Sequence, residues 1–355
     1  MSLTNKQCDF PVILDLLRQG EELVLLTVIS REGSTPRLPG SRMVLSGNGI
    51  LAGTIGGGIV EAQALDTARK TLQDKINRIL YFSSLDNGLA TVDMICGGSL
   101  HILLEFLGRN HYNLELFQWI KQCHEQRKKL YIFTPLPDHR GHSEPKFCLG
   151  EDGTVYGQPA FTEIPDLVRE TDWTKNQVIH MNGKEYMVEF YPPEETLYIF
   201  GAGHVAVEVC SLAVYLGFEV LVLDDRREYL NRERFPAAHQ LIFTQSFEDC
   251  FQELKIDDNS MLLIVTRGHR HDAEVLEQAL HTDAFYIGMI GSKNKRDTLY
   301  RNLVMKGYDR EGLEQVNCPV GIAIGADTPE EIAISISAQL IQARAEKRRR
   351  NDRCV

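Results

Sequence analysis

Hydrophobic positions change their spacing part-way along the chain. Residues 9–19 carry helical spacing, with Asp9 as a helix cap and Pro11 in the first turn. Leu23 to Ser30 is a β-rich run. Met43 to Leu45 and Ile50 to Ile55 form a hairpin around Ser46-Gly-Asn-Gly49, and an amphipathic helix follows from Ile59 to Leu72. Further strands are predicted at Ile79 to Ser83, Leu100 to Leu107 and Tyr131 to Thr134, with a helix over 111–127. Phe147 to Tyr156 and Val178 to Tyr191 read as hairpins, the second turning at Asn182-Gly183. From Leu197 onward, strands at 197–200, 218–223, 240–243, 261–265, 285–290 and 320–324 are separated mostly by helical segments. That alternation implies a parallel, doubly wound α/β sheet. Pro192-Pro193-Glu-Glu195 is stiff and polar. It divides an α+β domain with a β-rich middle region, 1–192, from an α/β domain, 193–355.

The second domain opens on Thr-Leu-Tyr-Ile-Phe-Gly-Ala-Gly-His-Val-Ala, residues 196–206. A buried strand breaks at Gly201-Ala202-Gly203 and passes into a helix, with Gly201, Gly203 and Ala206 spaced as in a dinucleotide-binding βαβ unit. Gly201 permits the turn, Gly203 lets a phosphate approach the backbone, and Ala206 lets helix and strand pack closely. The helix start then offers free N–H groups to an anion. His204 adds a titratable ring beside that position.

A formal charge of −11 over 355 residues argues against nucleic acid or an anionic membrane surface as the main partner. No apolar stretch approaches the ~20 residues that span a bilayer, and no secretory signal opens the chain, so a cytoplasmic location is expected. None of the eight cysteines forms a C-x-x-C pair, which disfavours a zinc site or a disulfide framework. Cys96 stands apart, because Gly97 and Gly98 open the backbone beside it.

Candidate chemistry collects in two places. In the first domain, Arg37 and Arg42 lie in a loop rich in proline and glycine, as an anion-binding pair of guanidinium forks or as solvated turn residues. Gly56-Gly57-Gly58 exposes backbone N–H groups at a helix start. Glu61 follows as dipole compensation or as a ligand. In the second domain, ligands of a doubly wound sheet bind beyond the carboxyl ends of the strands. There the sequence places Gly201 to His204, Asp224 with Arg226, Arg267 with His269 and Asp272, and Gly291-Ser292-Lys293. An acid some 20 residues past the glycine turn can hold a ribose hydroxyl, and the neighbouring arginines can hold a 2′-phosphate instead. Thr328-Pro-Glu-Glu331 reads as a helix capping box.

Taken together these blocks resemble the xanthine dehydrogenase accessory protein (XdhC/CoxI) family. The resemblance rests on Gly33-Ser-Thr-Pro-Arg37 with Gly40-Ser-Arg-Met43, Gly56 to Gly58 with Glu61, and Cys96-Gly-Gly98. It continues through Gly201 to Ala206, Asp224 with Arg226, Thr266-Arg-Gly-His269 with Asp272, Tyr286 to Lys293, and Gly325 with Thr328 to Glu331. It implies a Rossmann-like C-terminal domain and a chaperone for molybdenum cofactor rather than an enzyme in its own right. The implied protein shields the cofactor during sulfuration by a cysteine desulfurase and delivers it to an apo molybdenum hydroxylase. It is expected as a homodimer, with Cys96 toward the molybdenum. Two alternatives stay open: an NAD(P)-dependent oxidoreductase, and a sulfur-handling protein that uses Cys96.

Overall fold

The computed structural model describes residues 10–33, 37–49, 51–83, 98–158, 175–193 and 195–351. The chain divides into two compact units, Met1–Pro193 and Glu194–Val355.

In the first unit, α1 (Phe10–Arg18) precedes β1 (Leu23–Gly33), β2 (Arg42–Ser46), β3 (Leu51–Gly53), α2 (Gly58–Asp74), β4 (Arg78–Ser83) and β5 (Gly98–Leu107). The five strands form an antiparallel sheet ordered β3-β2-β1-β5-β4. After α3 (His111–Glu125) come β6 (Leu130–Pro135), β7 (Phe147–Gly150), β8 (Val155–Tyr156), β9 (Gln177–Met181) and β10 (Lys184–Tyr191). They make a second antiparallel sheet, β8-β7-β6-β10-β9. Central strand β1 is apolar on both faces because both are covered. Val24, Leu26 and Val28 join Val60, Ala64 and Ala68 of α2 in one core. Leu23 and Leu25 join α1, Phe117 of α3 and Ile132 of β6 in another.

Two buried ion pairs tie parts of this unit together. Arg42 of β2 bonds Glu189 of β10, with side chains 8% and 4% exposed. The guanidinium lies 4.0 Å from the Phe10 ring centroid. Lys146 Nζ stands 2.7 Å from Glu105 Oε2, on β5. Such pairs add little over apolar packing of the same shape, yet halving one strands a charge.

The second unit runs β11 (Thr196–Phe200), α4 (His204–Tyr215), β12 (Glu219–Asp224), β13 (Gln240–Phe243), β14 (Ser260–Ile264), α5 (His269–Ala279) and β15 (Tyr286–Met289). It continues with α6 (Lys293–Met305), α7 (Arg310–Glu314) and α8 (Pro329–Asn351). Its sheet is wholly parallel, ordered β13-β12-β11-β14-β15. This is the doubly wound sheet expected from the strand–helix alternation. Strand β11 is buried along its whole length, as a central parallel strand must be. Its Leu197 and Ile199 pack with α4 and α8 on one face. Tyr198 and Phe200 pack with α5, α6 and α7 on the other.

The strand expected at 320–324 does not form. Pairing beyond β15 reduces to a single bridge, Gly288 with Asn317. Pro319 has no N–H to extend the ladder. Gly321 N and Ile322 N turn instead to Gln339 Oε1 and Ser335 O of α8. Among the described residues no helix is long and apolar enough to cross a membrane.

Glu189→Leu is expected to lower the stability of the first unit by about 3–5 kcal/mol, because Arg42 is left buried without its carboxylate. The double variant Arg42→Met/Glu189→Leu should recover at least half of that loss. Urea unfolding followed by tryptophan fluorescence reads this part of the chain selectively, since the two tryptophans of the sequence, at positions 119 and 173, both precede Glu194. A double variant no more stable than the single would contradict the buried-pair account.

Candidate functional site

The sheet order reverses between β11 and β14, which places a crevice at their carboxyl ends. On one side of it lies the glycine turn. Gly201 has φ of 113°, and a Cβ there would sit 2.4 Å from Val265 O, so the close approach of the β11 and β14 ends requires glycine. Gly203 differs. Its φ of −73° suits any residue, and a Cβ there meets nothing within 4 Å. The chain itself therefore does not need a glycine at 203; the space in front of it is left open. Gly203 also caps α4 without a side-chain hydrogen bond, so the first-turn N–H groups of α4 have no side-chain acceptor at the cap. Gly268 caps α5 in the same uncovered way, at the end of β14. His204 and Arg267 are exposed beside these two starts, and His269 is the first residue of α5.

Asp224 takes a role different from the ribose acceptor that its position suggests. Its side chain is buried, and its oxygens accept four bonds. Oδ2 accepts from Ala202 N at 2.6 Å and Arg226 Nη2 at 2.9 Å. Oδ1 accepts from Arg226 N and Arg226 Nε, each at 2.9 Å. That fills about four lone-pair sites, all that a carboxylate has. Burial works against the charged form, but the hydrogen bonds from Arg226 and Ala202 outweigh it and hold the carboxyl below its ordinary range. Arg226, expected to bind cofactor, is turned inward onto this carboxylate and over the Tyr229 ring at 4.1 Å. A guanidinium fork two residues from a carboxylate closes on it when the turn is tight.

Other contacts brace the same edge. Arg234 Nη1 donates to Ala202 O at 2.8 Å, which holds the turn from its second side. Arg267 Nη2 donates to Asp225 Oδ2 at 2.9 Å and so links the ends of β14 and β12, with β11 between them. Asp272, fully buried, accepts from Thr266 Oγ1 at 2.6 Å and from Lys295 Nζ at 2.5 Å. Lys295 and Arg234 escape a reading of the sequence. Lys295 had one available signal, the acid of α5 that needs a buried cation; Arg234, thirty-odd residues from the turn, had none. Ser292 proves to be the cap of α6, its Oγ accepting from Lys295 N at 3.3 Å, and Lys293 is exposed behind it.

In the first unit the expected anion sites divide. Arg37 is exposed in its loop. Arg42 is not a second fork beside it, because its place on β2 carries the guanidinium inward to Glu189. The Gly56-Gly57-Gly58 turn is filled by the chain's own acceptors. Glu61 Oε2 accepts from Gly57 N at 3.0 Å, Ile55 N at 3.2 Å and Thr54 Oγ1 at 2.6 Å. Of the two roles open to Glu61, the geometry gives it the one that compensates its own helix start. Cys96 lies outside the described residues.

Residues 197–340 match the family described as XdhC Rossmann domain, and residues 16–83 match the XdhC and CoxI family. The chain belongs to the XdhC/CoxI family. Among relatives of this family, the uncharacterized protein YqeB of Escherichia coli is 25% identical over 93% of the chain, which spans 45% of that relative's length. A probable xanthine dehydrogenase subunit of Bacillus subtilis is 28% identical over 95% of the chain and 98% of its own. The molybdenum cofactor insertion chaperone PaoD of Escherichia coli is 24% identical over 93% of the chain and 86% of its own. A crystal structure described as a xanthine dehydrogenase from Bacillus halodurans superposes with a TM-score of 0.78 at 26% identity, covering 95% of this chain and 96% of that one.

Asp224→Asn is expected to weaken the second unit by about 1–3 kcal/mol at pH 7, the scale of lost hydrogen bonds to a charged group. The wild-type carboxyl is held below its ordinary 3.8. The unfolded chain therefore binds the proton first, and the wild-type advantage shrinks as pH falls below about 4. Amide exchange of β11 and β12 at a series of pH values reads the difference. A gap that stays constant through the acid range would contradict the assignment.

Proposed function

We propose that this XdhC/CoxI protein holds molybdenum cofactor as cargo, with the phosphate end of the pterin seated at the glycine turn, and passes it to an apo molybdenum hydroxylase of the xanthine dehydrogenase type. One observation carries the reading: the start of α4 is uncapped and faces open space at Gly203, while Asp224 is saturated by the turn and by Arg226. The first feature suits any phosphate. The second removes the acceptor with which such a fold ordinarily holds an adenosine ribose, and so disfavours NAD(P). A relative named as a molybdenum cofactor insertion chaperone supports the choice of cargo.

In this scheme the first N–H groups of α4 bind the phosphate, and exposed Arg267 and Lys293 add positive charge at the same edge. Sulfuration of the cargo falls to a partner cysteine desulfurase. Cys96, in its glycine-rich setting, is the thiolate suited to the molybdenum end. A cytoplasmic carrier of this kind needs no catalytic residue of its own.

The test is anaerobic gel filtration of the full chain after incubation with cofactor released from a molybdenum enzyme, counting molybdenum retained per chain. Wild type should retain the metal. Gly203→Val, at a position whose φ of −73° suits any residue and where a Cβ meets nothing within 4 Å, should stay folded and bind at least tenfold more weakly, about 1.4 kcal/mol or more. Cys96→Ala should lower retention independently, and unchanged retention would remove Cys96 from the carrier. Micromolar NAD(P) binding by a wild type that retains no molybdenum would give the protein to the oxidoreductase reading.

A further inference from the structure

The stretch from Val320 to Ala326, Val-Gly-Ile-Ala-Ile-Gly-Ala, has no polar side chain, yet none of its seven residues is buried. Ile322 and Ile324 are 38% and 55% exposed. Apolar residues scattered singly are ordinary on a surface, but an unbroken run of them in a loop is not. The loop is nonetheless held in place. Val320 N donates to Met289 O at 3.0 Å and Ile322 N to Ser335 O at 3.2 Å, while Ser335 Oγ donates to Ile322 O at 2.6 Å. At the far end Asp327 N and Thr328 N donate to Glu331 Oε2. Between these anchors Ala323, Ile324, Gly325 and Ala326 make no hydrogen bond to any described residue, through N–H or through C=O.

This loop stands at the carboxyl edge of the parallel sheet. It leaves the end of β15 and leads into α8. Arg344 of α8 donates to Leu216 O, just past the last turn of α4, and Ala333 near the start of α8 shares a core with Ala202 and Ala206. The two helices therefore run side by side in one direction, and both start at the edge where α4 is uncapped. That edge offers bare helix N–H groups at one place and, at another, an apolar surface with free main-chain groups. A ligand suited to both is a flat ring with apolar faces and a hydrogen-bonding edge, joined to an anion. A pterin that carries a phosphate is such a molecule.

We propose that this loop is the ring subsite of the crevice, with Ile322 and Ile324 against the pterin face and the main chain of Ala323 to Ala326 on its edge. The assignment rests on the carrier reading above and adds the part of the chain that tells a pterin from other phosphate-bearing ligands. Anchored at both ends before binding, the loop loses little to ordering.

The probe is hydroxymethylpterin, a fluorescent pterin without phosphate or molybdenum, titrated with the full chain. Wild type should raise its anisotropy to saturation, and the amide signals of Ala323 to Ala326 should shift in a ¹⁵N-labelled sample. Ile324→Asn, similar in size and at an exposed position, should weaken binding about tenfold, the scale of one lost apolar contact. Should that variant misfold, Ile324→Ala serves with a smaller shift in the same direction. Ile341→Asn removes another exposed isoleucine, farther along α8, and should bind the pterin as wild type does. The proposal is overturned by a wild type that binds no pterin up to millimolar concentration, by an Ile324 variant that binds as wild type does, or by displacement of the pterin by equimolar adenosine. Molybdenum retention separates the two readings. Equal retention by wild type and Ile324→Asn keeps the carrier and overturns the ring subsite. Pterin binding that depends on Ile324, in a chain that retains no molybdenum, keeps the subsite and removes the carrier.

Discussion

A carboxylate taken out of water must be answered by donors, and the way Asp224 is answered organises the second domain. Two of its four hydrogen bonds come from the Arg226 side chain, one from the Arg226 backbone and one from Ala202 in the glycine turn. The end of β12 is thereby pinned to the end of β11. Arg234 holds the same peptide by its carbonyl oxygen. With Ala202 fixed on both sides, the residues that follow enter α4 in a set orientation, and the N–H groups of that first turn have no side-chain acceptor at the cap. The turn is built before anything binds, so little ordering is needed on binding.

Helix starts elsewhere in the chain show how unusual that open start is. The start of α2 is covered by Glu61, that of α6 by Ser292, and that of α8 by the reciprocal pair of Thr328 and Glu331. Each is satisfied by a side chain within four residues. The starts of α4 and α5 have only glycine at the cap, and both lie where the strand order reverses. Glycine residues that look alike in sequence thus do opposite things: Gly57 gives its N–H to a carboxylate of its own helix, whereas Gly203 faces open space.

Much of the fold is legible in the sequence because its signals are local. The strand–helix alternation after Leu197, the Asn182-Gly183 hairpin and the capping box at Thr328 each depend on residues a few positions apart. Arg42 suggests an anion donor because it lies in a loop rich in proline and glycine, and Arg226 because it follows an acid at the carboxyl end of a strand. Their partners, Glu189 and the filled oxygens of Asp224, belong to tertiary structure. The sequence points to Lys293 rather than Lys295, although only Lys295 reaches the buried Asp272. Residues 320–324 have the composition of a strand, and only the course of the chain after Pro319 shows that Val320 N stays on Met289 O of β15 while Gly321 N and Ile322 N go to α8.

The most direct measurement follows single backbone amides of the ¹⁵N-labelled chain during titration with molybdenum cofactor. Seating of the phosphate at the uncapped helix start predicts the largest shifts at Gly203, His204 and Val205, with Ala202 nearly still because its N–H remains on Asp224. Shifts concentrated at Gly56 to Gly58, or spread without preference while Gly203 to Val205 stay unmoved, would contradict it.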